Sequence, residues 1–253
     1  VDASNSLGTI TVIGNVADIG SLDSITGGNG TDVLTLTADG NSSGANFTSV
    51  SKVETVTIVA NAACDAVLTL GTDNTALTID ASALTNTSAD LTVAGASYAG
   101  NLTITGGAGA DSITGGTGKD LIIAGAGNDT ILVGCGADTV SAGLGADTIT
   151  VNNTGNVALY GEDGNDTFAF STYLSSGDVV DGGAGTDTLT VTGTVGAGAA
   201  RGLSNIENIT LGNDGANITL NSADVTAFAT GVTIDVTGAG NQTVTLSSGN
   251  DSF

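Results

Sequence analysis

Between Gly106 and Thr150 an aspartate recurs at every ninth residue: Asp111, Asp120, Asp129, Asp138 and Asp147. A glycine stands two places before each, and a β-branched aliphatic two places after. Carboxylates and the bare carbonyls of glycine-rich turns are oxygen donors; the chain has no histidine, and its two cysteines, Cys64 and Cys135, fit no metal spacing and read as unpaired thiols. An all-oxygen shell of about six or seven donors suits a hard cation of calcium type, whereas magnesium keeps more water and demands a stricter octahedron. The formal charge is -23 and the only basic residues are Lys52, Lys119 and Arg201, so the carboxylates have few counter-charges of their own. Bound cations are the expected balance, because self-repulsion of this size opposes a compact state.

The elements that must position these carboxylates follow from the same nine residues. In Gly106–Thr114 the first six residues form a glycine-rich turn with exposed carbonyls. The last three, Ser112, Ile113 and Thr114, suffice for one short strand with Ile113 facing in. Two such units make one coil of a flattened solenoid. Asp111, Asp129 and Asp147 then fall in one column and Asp120 and Asp138 in the other. Successive coils of a parallel stack lie about 4.8 Å apart. Bare carboxylates repel at that spacing, and a divalent ion between turns reverses the sign.

The motif recurs outside this block. Val151 to Leu159 keeps the length but has Asn156 where aspartate is expected; after one further residue Asp166 restores the pattern. Asp178 and Asp187 are nine apart, as are Asp23 and Asp32. A longer repeat overlies the short one: a GGxGTD turn at Gly27 and again at Gly182 feeds an alternating strand, then a second strand led by Glu54 or Glu207. Alternation such as L-T-I-T and V-T-L-S reads as strand throughout, with one or two helical turns possible only near 221–231. We expect an N-terminal strand-layer region over 1–105 with one motif at 27–35, the nonapeptide roll over 106–190, and over 191–253 a second strand-layer region that repeats the first in truncated form.

The pattern GGxGxDxUx, with U a large aliphatic, resembles the signature of the repeats-in-toxin (RTX) family. That resemblance implies an all-β fold, a right-handed parallel β-roll or β-helix solenoid with several Ca2+ ions in its turns, flanked by less regular strand layers. It implies Asp111, Asp120, Asp129, Asp138, Asp147 and Asp166 as side-chain ligands, with Asp32, Asp178 and Asp187 as candidates in isolated motifs. Carbonyls of Gly107, Gly109, Gly116, Gly118, Gly125, Gly127, Gly134, Gly136, Gly143, Gly145 and Gly164 would complete the shells. Ala124, Val133 and Ala142 depart from the pattern by replacing the first glycine. More loosely, the GGxGTD unit followed by a Glu-led strand resembles RTX-type surface-layer proteins of Gram-negative bacteria and related giant adhesins. This wider likeness implies type I secretion, an extracellular place on the bacterial surface, and self-association into a lattice or filament, with cell-surface polysaccharide as a candidate anchor. The chain begins at Val1 and breaks off in a repeat-like stretch, which reads as a piece of something longer.

Other chemistries fit poorly. Without histidine there is neither an HExxH zinc site nor a Ser-His-Asp triad. The carboxylate pairs that could act as glycosidase acids nearly all belong to repeats. Gly118-Lys119 is followed by Asp120, where a phosphate-binding loop needs Ser or Thr, and no EF-hand spacing is present. The outward Thr130, Thr148 and Thr167 invite an ice-binding reading, but the neighbouring Leu132 and Ala169 break the rank. With no basic patch, nucleic acid is not an expected partner, and no stretch is apolar enough to insert in a membrane. The expectation is a structural protein, not an enzyme; the rival is the calcium-folded roll of a larger secreted adhesin or enzyme.

Overall fold

The computed structural model describes residues 11–15, 24–38, 45–47, 50–60, 64–73, 75–195, 199–212, 217–220, 233–236 and 243–246. Asp23 and the stretch 221–231 lie outside them. Strands alternate between two sheets of ten strands each, and every described pairing is parallel. The first sheet runs from Thr11–Asn15 through Leu121–Ala126 to Leu203–Ser204; the second runs from Ala45–Phe47 through Thr130–Leu132 to Thr233–Val236. Two small two-stranded sheets, Ile25–Thr26 with Val50–Ser51 and Asn217–Leu220 with Thr243–Leu246, accompany them. The only described helix is one 3-10 turn, Ala199–Gly202. The chain is a parallel β-solenoid, as the nonapeptide rhythm predicts.

Period-two alternation decides what faces in. Leu77 and Ile79 are buried, and Thr78 and Asp80 are partly exposed. Because neighbouring coils pair in register, inward residues stack as ladders. Ile79, Ile104, Ile122, Val140, Leu159, Val180 and Leu203 form one rung series. From the second sheet come Val93, Ile113, Ile131, Ile149, Phe168, Leu189 and Ile209. All fourteen are buried. Each fully buried aliphatic contributes about 1.5–3 kcal/mol against exposure, so a chain with few aromatics still builds a continuous core.

Two edges carry the turns. Along the forward edge the chain passes from the first sheet to the second, and Asp111, Asp129, Asp147, Asp166 and Asp187 precede its strands. Along the return edge it passes back, and Asp32, Asp120, Asp138 and Asp178 do so. The column assignment read from the sequence is therefore the one the fold adopts.

Candidate metal centre

All nine aspartates are at most 2% exposed. Buried carboxylates are rare unless their oxygens are satisfied. One oxygen is, by a repeated device. Asp129 Oδ1 accepts the backbone N–H of Asp111 at 2.7 Å, Asp147 Oδ1 that of Asp129 at 2.7 Å, Asp166 Oδ1 that of Asp147 at 2.8 Å, and Asp187 Oδ1 that of Asp166 at 2.7 Å. On the return edge Asp138 Oδ1 accepts from Asp120 N–H at 2.8 Å. Each carboxylate thus ties its coil to the one before it.

The second oxygen divides the set. Oδ2 of Asp129, Asp138, Asp147, Asp166 and Asp187 is buried with no hydrogen-bond partner. A buried, unpartnered acceptor costs about 1–3 kcal/mol, and more when charged, so these atoms await a proton or a cation. Burial pushes the carboxyls of Asp111, Asp138 and Asp166 up to about 6 and that of Asp129 up to about 7. Backbone N–H donors offset part of the rise, and neighbouring aspartates add to it. Asp120, Asp147 and Asp187 are raised for the same first reason, loss of water.

Carbonyls supply the complementary donors. Those of Gly107 and Gly116 accept backbone N–H groups of the following coil, from Ala126 and Cys135. Fourth-position carbonyls, like those of the second position, face the matching glycine one coil on: Gly109 faces Gly127, Gly118 faces Gly136, Gly127 faces Gly145, and Gly145 faces Gly164. A Cβ at any of these later glycines would collide with the carbonyl before it. Both donor types, orphaned carboxylate oxygens and close-stacked carbonyls, fit a hard cation held by oxygen alone. Ala124, Val133 and Ala142 turn their side chains into the core, so losing the first glycine leaves the turn intact.

Other residues do work that the motif did not announce. Glu54 and Glu207 end columns: Glu54 Oε2 accepts Asp32 N–H at 2.7 Å, and Glu207 Oε2 accepts Asp187 N–H at 2.8 Å. Each takes the place the next coil's aspartate would fill, and the only signal was its matching position before a strand in the long repeat. In the degenerate turn, Asn156 sits beneath Gly177, while the Asn153 amide donates to Gly134 O and its Oδ1 accepts Gly155 N–H. Cys64 and Cys135 form no disulfide.

A protein-family model for the RTX calcium-binding nonapeptide repeat (4 copies) matches residues 22–42, 99–131, 134–152, 153–171 and 175–191. No curated protein and no solved structure matches the chain. The matched segments contain all nine buried aspartates of the two edges. The chain carries an array of RTX calcium-binding nonapeptide repeats, which bind Ca2+ ions in several of its turns.

Proposed function

We propose that this chain is a calcium-dependent structural protein of the bacterial cell surface, a subunit that assembles with copies of itself into a layer or filament. The observation that carries the calcium dependence is the file of buried aspartates with one oxygen unpartnered. At low cytosolic calcium these carboxylates repel and disfavour coil stacking; at millimolar external calcium the ions supply the missing charge. RTX repeat proteins are typically secreted, and no described helix is long and apolar enough to cross a membrane. Self-association is supported by the outer face of the first sheet, where Leu121 and Ile123 on one strand, and Tyr160 and Val179 on two strands beyond the intervening Thr139 and Ser141, are each more than a third exposed. Apolar side chains shared by one exposed face favour protein contact.

The second reading is a calcium-folded roll within a larger secreted adhesin or enzyme. The family match favours it equally, since the nonapeptide describes the roll and not what it adjoins. Electron microscopy of the purified chain in calcium, then in chelator, separates the two. Regular sheets or fibres that dissolve on chelation support the subunit; discrete monomers in both conditions favour the accessory roll.

A further inference from the structure

The turns are of two kinds, and three linked features sort them identically. In the turns ending at Asp129, Asp138, Asp147, Asp166 and Asp187, the second residue lies in the left-handed region: Gly125 at φ 118°, Gly134 at 91°, Gly143 at 116°, Glu162 at 75° and Gly183 at 95°. The fourth residue does too, from Gly127 at 118° to Gly164 at 155°. These are the same five turns whose Oδ2 is buried and orphaned. In the turns ending at Asp111 and Asp120, neither glycine position is left-handed. There the second-position N–H closes on the carboxylate, from Gly107 to Asp111 Oδ2 at 2.8 Å and from Gly116 to Asp120 Oδ2 at 2.7 Å. Asp32 is closed likewise by Gly28 N–H at 2.6 Å, and Asp178 by Ser175 N–H at 2.8 Å.

Glu162 shows that the open form is imposed and not merely permitted by glycine. A non-glycine residue there costs roughly 1–2 kcal/mol, yet this one adopts it. Rotating the second peptide takes its N–H off the carboxylate and leaves Oδ2 free for another partner. The buried Oδ2 left without a partner is the feature that points to a ligand.

The two edges are unequal. Four consecutive forward-edge turns, at Asp129, Asp147, Asp166 and Asp187, are open. On the return edge the one open turn, at Asp138, has the closed Asp120 turn on one side. On its other side the next turn carries no aspartate at the Asp position but Asn156, and the Asn153 side-chain amide donates to Gly134 O.

We propose that calcium loads on one edge: Asp129, Asp147, Asp166 and Asp187 bound a continuous run of sites, while the turns of Asp32, Asp111, Asp120 and Asp178 are closed by their own backbone and need no metal. The N-terminal coils then form a metal-independent template on which the calcium-requiring coils stack. This holds whether or not the chain assembles with itself.

The test counts calcium per chain by native mass spectrometry on the intact protein, wild type against Asp147→Asn and Asp120→Asn, with far-UV circular dichroism confirming the fold. Asp147→Asn should lower the bound count by one or two, and Asp120→Asn should leave it unchanged. An equal loss in both variants overturns the proposal. Should either variant not fold, anomalous diffraction from wild-type crystals grown in calcium decides. Peaks along the forward edge between the Asp129 and Asp187 turns uphold it; peaks of equal height beside Asp111 and Asp120 overturn it.

Discussion

Replacing Asp129 with asparagine should change the sign of its effect with calcium. The amide side chain of the Asp129→Asn variant would keep an oxygen to accept Asp111 N–H, now bonded at 2.7 Å. The orphaned Oδ2 becomes an amide N–H2, the group Asn153 already turns onto a turn carbonyl in this chain. Without metal, the folded state at neutral pH carries a carboxyl pushed from 3.8 to about 7, chiefly by loss of water. At about 1.4 kcal/mol per pH unit that is on the order of 4 kcal/mol, and about 2–4 kcal/mol after allowing for relaxation and solvent screening. In chelator, therefore, the variant should be more stable than wild type by about that amount. In calcium it loses an anionic ligand, and a site held at about a hundredfold over its Kd contributes about 2.7 kcal/mol. Urea unfolding followed by far-UV circular dichroism at neutral pH, in chelator and in millimolar calcium, reads both signs from the midpoints. A variant destabilised equally in both conditions would refute the reasoning, because the carboxylate would then act only as a backbone acceptor.

The pH dependence without metal follows from the same groups. Asp111, Asp129, Asp138 and Asp166 have folded-state values raised above 3.8, so their stabilising contribution is complete below about pH 4 and lost as pH rises through about 6 to 7. Acid should partly replace calcium: in chelator the thermal midpoint should rise from pH 7 to pH 5, and a falling midpoint would contradict this. Gly145→Ala places a Cβ at φ 128° against the carbonyl of Gly127 and should cost at least about 2 kcal/mol in urea unfolding. Glu207→Ala leaves Asp187 N–H without its acceptor and should cost about 1–3 kcal/mol, largely recovered in Glu207→Gln. Phe168→Ala empties a fully buried rung and should cost about 3–5 kcal/mol with or without calcium.

The solenoid was legible because its determinants are periodic. A nine-residue rhythm with Ile113, Ile131 and Ile149 at one phase leaves a short strand few other ways to bury them, and these residues do pair in register. The aspartate columns followed from counting two units per coil. What could not be read was which turns close on themselves. Gly106 and Gly115 begin closed turns, yet Gly161 and Gly182 begin open ones, so the first glycine does not sort them. The choice depends on peptide orientation and on the coil above, which spacing alone does not encode. Asn153 was missed for a related reason: it puts a different side chain into a turn where the motif has none, and a pattern built on aspartate passes over it, whereas Glu54 and Glu207 stood out by their matching positions before strands of the long repeat.

The central claim is that calcium supplies the charge that lets stacked aspartates hold coil to coil. Its most direct measurement is hydrogen exchange of the Asp129, Asp147 and Asp166 amides, whose N–H groups end on the next coil's carboxylate. At neutral pH the account predicts strong protection in calcium and its loss in chelator. Equal protection in both conditions would contradict it.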